Sequence, residues 1–133
     1  MKKINLTILF LMLIFSDKLK AQENRWVFLC DYDKGNCNVY YDTISLQKNV
    51  NNTTTIWLKY IYNKPDFDNT TRKYFKTALQ QYEISCDDRT MRFIAWVYYY
   101  VDGSSDSQTN KTSQPESIYP ETISERVYYL LCK

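Results

Sequence analysis

Apolar and aromatic residues recur along most of the chain with the two-residue period of β-strands. Runs of strand composition cover residues 25–31, 38–44 and 54–62, and residues 82–86 alternate between apolar and polar positions. β-Branched and aromatic residues favour pleated sheets, and strict alternation is typical of a half-buried strand. The pattern therefore predicts an antiparallel β-sheet of about five to six strands.

Polar segments separate these runs. Residues 47–53 and 104–116 contain few apolar side chains and predict loops, the second of them mobile. Pro65 and its polar neighbours predict a break in the strand pattern over residues 63–71, because proline cannot donate to a ladder. Residues 74–86 begin ambiguously, since their first half is equally compatible with a helix.

The strongest strand pattern covers residues 90–101. Strict alternation gives one face to Met91, Phe93, Ala95, Val97, Tyr99 and Val101. It gives the other face to Arg92, Ile94, Trp96, Tyr98 and Tyr100. Two apolar faces are typical of a central strand covered on both sides, or of an interface. The candidate interface consists of Trp96, Tyr98 and Tyr100, because Trp and Tyr are enriched at binding hot spots. The alternative, which we favour, is that these three side chains pack in the core beneath a C-terminal helix.

The last segment changes to a helical period. Apolar residues recur at i, i+4, i+7 and i+8: Ile123, Val127, Leu130 and Leu131. Thr122 and Glu125 fit a capping box at the start of this helix. A helix of about ten residues is marginal in isolation, so it is expected to dock on the sheet. Several strands followed by one helix predict an α+β fold rather than an alternating βαβ fold.

The amino terminus predicts export. Two lysines precede an uncharged, mostly apolar run at residues 4–15, and a short polar stretch ends at Ala21. This is the three-part pattern of a secretory signal peptide, and the apolar run is shorter than the ~20 residues that cross a bilayer. We predict a signal peptide over residues 1–21 and a single mature domain over residues 22–133, without a transmembrane segment.

Four cysteines lie in the predicted mature domain: Cys30, Cys37, Cys86 and Cys132. An even number in an exported chain predicts two disulfides, and the absence of histidine and of a CxxC pair argues against zinc. The sequence permits three pairings. We favour Cys30–Cys37, which flank a predicted turn, together with Cys86–Cys132, which would hold the end of the helix to a strand.

Charge and residue types exclude several functions. The predicted signal peptide contains four of the 17 basic residues and one of the 15 acidic residues, so the mature domain has 13 basic and 14 acidic residues. A domain of net charge −1 has no electrostatic attraction for nucleic acid. Histidine, the usual general base near neutral pH, is absent, and no phosphate-loop or nucleophile-elbow motif occurs. We expect no enzymatic activity and no cofactor.

Spaced motifs give the chain a family resemblance. The motifs are Trp26, Tyr40-Tyr41-Asp42 with Ile44-Ser45, Trp57-Leu58-Lys59, Tyr82-Glu83-Ile84-Ser85-Cys86 followed by Arg89-Thr90-Met91-Arg92, Ile118-Tyr119-Pro120-Glu121-Thr122, and the closing Cys132. Together they resemble the bacterial surface-adhesin protein E family, over about residues 25–132. The most specific element is the Tyr-Glu-Ile-x-Cys block followed by Arg, with the terminal Pro-helix-Cys.

The resemblance implies an antiparallel sheet with the C-terminal helix packed across one face and tied to it by Cys86 and Cys132. It also implies a protein or extracellular-matrix ligand and a capacity to form homodimers. Cys30 and Cys37 are not part of the family pattern. We therefore expect an exported, non-enzymatic, adhesin-like binding domain, at the cell surface or secreted. The alternatives are a periplasmic accessory protein without an adhesive role and a small secreted enzyme inhibitor that presents residues 104–116.

Overall fold

The computed structural model describes residues 25–133 apart from Lys111, so the predicted signal peptide lies outside the described residues. The described chain forms eight strands and one helix: β1 (Trp26–Tyr32), β2 (Cys37–Asp42), β3 (Gln47–Lys48), β4 (Thr53–Asp68), β5 (Lys73–Ser85), β6 (Thr90–Tyr100), β7 (Ser105–Thr109), β8 (Glu116–Ser117) and α1 (Ile123–Leu131). The predicted α+β fold is confirmed, with more strands than the pattern indicates.

All eight strands belong to one antiparallel sheet. Its main path is β1-β2-β4-β5-β6-β7, while β3 pairs with β4 and β8 pairs with β6. The turns before β2 and before β7 contain Gly35 and Gly103, whose φ angles of 83° and 85° are positive. Glycine adopts such angles without the steric cost that a Cβ atom imposes. β1 and β7 form the two edges of the sheet.

The core lies on the face of the sheet that α1 covers. Its fully buried strand residues come from three neighbouring strands, β2, β4 and β5: Cys37, Val39, Ile56, Leu58, Ala78 and Ile84. The helix contributes Val127, which is also fully buried. Burying each valine, leucine or isoleucine side chain stabilises the fold by ~1.5–3 kcal/mol. Ile123 and Leu131 of the predicted apolar helix face also pack against this core. The prediction is wrong for Leu130, which is 40% exposed, while the half-buried Tyr128 packs on the core instead.

Both ends of α1 are fixed by local interactions. The Thr122 hydroxyl accepts a hydrogen bond from the backbone N–H of Glu125 at 3.2 Å, and the Glu125 carboxylate accepts one from the backbone N–H of Glu121 at 2.9 Å. This confirms the predicted capping arrangement, although the carboxylate reaches the residue before the cap. At the other end, Cys132 forms the predicted disulfide with Cys86 at the end of β5.

Three segments that were predicted as connections belong to the sheet. Gln47–Lys48 forms β3 and pairs with β4, so the predicted loop over residues 47–53 is wrong at its start. Residues Ser105–Thr109 pair with β6 although all five are exposed and polar. The prediction of a mobile loop over residues 104–116 is wrong there, because an edge strand is held by backbone hydrogen bonds and needs no apolar side chains. β4 continues through Pro65 to Asp68, and its register with β5 shifts between Ile61 and Asp66. This irregularity accommodates the missing N–H of proline.

A β-bulge in β6 changes which of its side chains share a face. Between Phe93 and Ala95, β6 contains one extra residue, Ile94, relative to β5. One extra residue resets the alternation of every residue that follows it. The face covered by α1 therefore carries Met91, Phe93, Trp96, Tyr98 and Tyr100. The prediction that Met91 and Phe93 lie on the opposite face from Trp96 is wrong for this reason.

Cys30 and Cys37 are buried free thiols, so the predicted Cys30–Cys37 disulfide is absent from the structure. Cys30 lies opposite Val39, and Cys37 lies opposite Tyr32. The two cysteines are therefore diagonal neighbours, whose Cα atoms are typically ~7–8 Å apart. Disulfides usually join Cα atoms ~4.4–6.8 Å apart. The Cys86–Cys132 bond meets that requirement, with a Cα–Cα distance of 5.5 Å.

Candidate protein interface

Trp96 and Tyr98 lie on the face of the sheet that carries the core. Trp96 is opposite Gln80 of β5 and Tyr98 is opposite Ala78, which is itself fully buried. Directly opposed residues of antiparallel strands project to the same side of the sheet. Both aromatic side chains are only half-buried. They therefore combine a position at the margin of the core with a surface that a partner can reach.

Ring stacking orders this aromatic surface. The Tyr98 ring stacks on Phe75 with centroids 4.4 Å apart and on Trp96 with centroids 4.5 Å apart. Phe75 also meets the edge of Tyr62, at 5.4 Å. Such aromatic pairs contribute ~0.5–1.5 kcal/mol each beyond the area they bury. Because the rings are already held in place, little side-chain entropy remains to be lost when a partner binds.

Tyr100 differs from its two predicted companions because its side chain is only 6% exposed. Its hydroxyl donates a hydrogen bond to the Asp68 carboxylate at 2.7 Å and accepts one from the Thr71 hydroxyl at 3.1 Å. The hydrogen bonds from Thr71 and Tyr100 hold the pKa of Asp68 below its usual value. Tyr100 thus fixes the turn between β4 and β5, and its inclusion in the predicted interface is corrected on grounds of burial.

A groove of about 610 Å³ opens on the same face, between α1 and β1. Its floor includes Tyr60, Tyr62, Tyr82 and Phe93. Burial raises the pKa of all three tyrosine hydroxyls above the usual value, so these side chains are neutral at physiological pH. The sequence analysis missed this groove, although the aromatic content of β4 and β5 was a signal for it.

The face of the sheet opposite α1 carries a second group of apolar side chains. A row of directly opposed side chains crosses five strands on that side, and apart from one lysine it is apolar or aromatic: Phe28, Tyr40, Lys59, Leu79 and Val97. Phe28 is 52% exposed. The Lys59 ammonium lies 4.7 Å from the ring centroid of Trp26, a cation–π contact that covers part of this apolar surface. No element of the described chain packs on this face.

The family model described as surface-adhesin protein E matches residues 26–133. The chain belongs to the surface-adhesin protein E family. The structure of Haemophilus influenzae protein E is 14% identical to this chain, with a TM-score of 0.58 over 82% of this chain and 84% of that one. A crystal structure of protein E from non-typeable Haemophilus influenzae, also 14% identical, gives a TM-score of 0.60 over 82% of this chain and 76% of that one. No functionally curated protein matches the sequence.

This match confirms the family resemblance inferred from the motifs, and the two protein E structures confirm the fold. As a member of the surface-adhesin protein E family, the chain is a surface adhesin. Over residues 25–133 without Lys111, no three Cys, Asp or Glu side chains are grouped to hold a metal ion. Over the same residues, no helix is long and apolar enough to cross a membrane.

Proposed function

We propose that this adhesin protein E family member is an exported, non-enzymatic binding domain of the bacterial cell envelope. It acts at the cell surface or after secretion, through an interface with a host protein or with the extracellular matrix. The observation that carries the proposal is the family match over residues 26–133. The surface chemistry supports it, because the chain offers ordered aromatic side chains and a groove rather than a nucleophile beside a base.

The centre of the interface in this proposal is the pair Trp96 and Tyr98. Both rings are half-buried and stacked, and Trp and Tyr are the residue types that most often dominate binding energy. Edge strand β7 supplies Asp106 opposite Tyr98 and Gln108 opposite Trp96. These exposed polar residues form the hydrated rim that commonly surrounds an aromatic centre.

The first experiment tests location. Intact cells are digested with an external protease, and the domain is followed by immunoblot beside a periplasmic control protein. Loss of the domain while the control survives supports a surface position. Protection of the domain until the envelope is opened excludes the adhesin function and supports the periplasmic alternative.

The second experiment tests the interface with two matched tryptophan variants. Purified mature domain is applied to immobilised basement-membrane matrix, and Trp96→Ala is compared with Trp57→Ala. Trp57 is also half-buried on a central strand, but it projects to the opposite face, since its neighbours Ile56 and Leu58 are core residues. We expect a loss of at least tenfold in affinity for Trp96→Ala and a smaller loss for Trp57→Ala. The reverse order would exclude the proposed centre.

Homodimer formation is also proposed, through the uncovered face that carries Phe28 and Val97. The support is the exposure of Phe28 and the absence of a packed element on that face in residues 25–133 without Lys111. Sedimentation equilibrium at several concentrations should show a dimer for the wild type and for the loop variant Val50→Ser. Phe28→Ser should shift the equilibrium toward monomer. A wild-type protein that stays monomeric at every concentration measured excludes the dimer.

A further inference from the structure

The groove beside α1 has an uneven distribution of charge. Two carboxylates line it, from Glu116 of β8 and Glu121 just before α1. Asp31 of β1 also borders the groove, but its position between the core-facing Cys30 and Tyr32 directs its side chain to the opposite face of the sheet. Arg126 supplies the one positive charge among the lining residues. The four salt bridges found in the described chain involve none of these carboxylates. The groove is therefore electronegative, and its carboxylates are available to a ligand.

The aromatic floor adds a second preference. Tyr60, Tyr82 and Phe93 line the same groove as these carboxylates and present rings on which the aliphatic stem of a long side chain can pack. The quadrupole of an aromatic ring attracts a cation placed over its face. A floor of neutral rings surrounded by carboxylates thus matches one kind of side chain, a lysine or arginine with an apolar stem and a cationic end.

We propose that this groove binds an extended, lysine- or arginine-rich peptide segment of a partner protein. The inference rests on the proposed function, since it names the partner chemistry of a protein interface. Charge complementarity selects this occupant, because the excess of carboxylates repels nucleic acids and acidic polysaccharides. A groove of about 610 Å³ lies within the range of ~300–1,000 Å³ that holds a ligand of a few side chains.

The test measures binding of a fluorescein-labelled decapeptide of alternating arginine and serine by fluorescence anisotropy. The same peptide with glutamate in place of arginine is the ligand control. Glu116→Gln/Glu121→Gln removes two groove charges without changing side-chain size. The matched protein control is Asp87→Asn/Asp88→Asn, which removes two charges from the turn between β5 and β6, outside the groove.

We expect the wild type and the Asp87→Asn/Asp88→Asn variant to bind the arginine peptide equally well. Binding should weaken about tenfold in the Glu116→Gln/Glu121→Gln variant, and raising the salt concentration should weaken it in the wild type. Phe93→Leu should weaken it without changing the salt dependence, because this substitution removes a ring and no charge. Equal affinities for both double variants, or binding of the glutamate peptide, would overturn the assignment.

A parallel assay separates this inference from the proposed function. The same variants are applied to immobilised basement-membrane matrix. Matrix binding that is insensitive to Glu116→Gln/Glu121→Gln overturns the groove as the partner site and leaves the adhesin function intact. Selective peptide binding without any matrix binding supports the groove and counts against the adhesin function. If Glu116→Gln/Glu121→Gln loses peptide binding and matrix binding together, the result supports the groove as the partner site and the adhesin function.

Discussion

Removing the Cys86–Cys132 disulfide should lower the stability of the domain more than any other change at a cysteine. The bond joins residues 46 positions apart and closes β6, β7, β8 and α1 into one loop anchored just after β5. In the chain-entropy model, a loop of that size restricts the unfolded chain by ~4 kcal/mol. The bond also keeps the nine-residue helix α1 beside the sheet, where isolated it would not persist.

The assay is urea unfolding followed by tryptophan fluorescence, with and without a thiol reductant. For a domain of this size an m-value of ~2 kcal/mol/M converts ~4 kcal/mol into a midpoint shift of about 2 M urea. We expect this shift in the reduced wild type and in Cys86→Ala/Cys132→Ala under both conditions. The Cys30→Ala/Cys37→Ala variant should lose only ~1–2 kcal/mol from packing and should remain sensitive to the reductant.

Two results would refute the reasoning. If Cys30→Ala/Cys37→Ala lost as much stability as Cys86→Ala/Cys132→Ala, loop length would not determine the effect. If the reductant still shifted the urea midpoint of Cys86→Ala/Cys132→Ala, a second disulfide would be present. Cys30 and Cys37 would then be bonded to each other rather than free thiols.

Three further predictions concern single groups. The Asp42 carboxylate is fully buried 2.7 Å from the Arg25 guanidinium, and its hydrogen bonds outweigh burial and lower its pKa. Asp42→Asn should therefore lower the free energy of unfolding by ~2 kcal/mol at pH 7. The loss should be smaller at pH 3, because the stability that the lowered pKa contributes disappears as the pH falls and the carboxylate of the wild type is protonated. Burial raises the pKa of the Cys37 thiol to about 11, so iodoacetamide at pH 8 should modify it only in urea, and rapid modification of the folded protein would contradict its burial. Gly103→Ala should cost ~1 kcal/mol in thermal unfolding because of the positive φ angle, whereas an unchanged melting temperature would show that the turn relaxes.

Elements whose signals are local could be predicted from the sequence. The helix α1 could be predicted because its apolar period and its Thr122 cap lie within one short segment. The Cys86–Cys132 pairing followed from the position of each cysteine at the end of an element. In both cases the interactions that fix the structure involve the same residues that display the pattern.

Features that depend on the pairing of strands could not be predicted. The bulge at Ile94 leaves no mark in the alternation of residues 90–101, yet it moves Trp96 and Tyr98 onto the core face. β7 is held by its backbone, so its polar side chains gave no strand signal. The aromatic content of β4 and β5 was a signal for the groove, but its position could not be predicted for a related reason. Asp31, Tyr60 and Glu116 line it from distant parts of the chain and meet only after the sheet has formed.

The two edges of the sheet have a consequence for molecules that are displayed close together. β1 has an irregular register between Phe28 and Cys30, and β7 exposes only polar residues. Both features discourage the addition of a strand from another molecule, which is the first step of fibrous aggregation. Neighbouring copies are therefore protected from joining edge to edge, even at high density. With the proposed display on the cell surface, each copy would keep its own binding surface, and many weak contacts would add up to strong attachment through avidity.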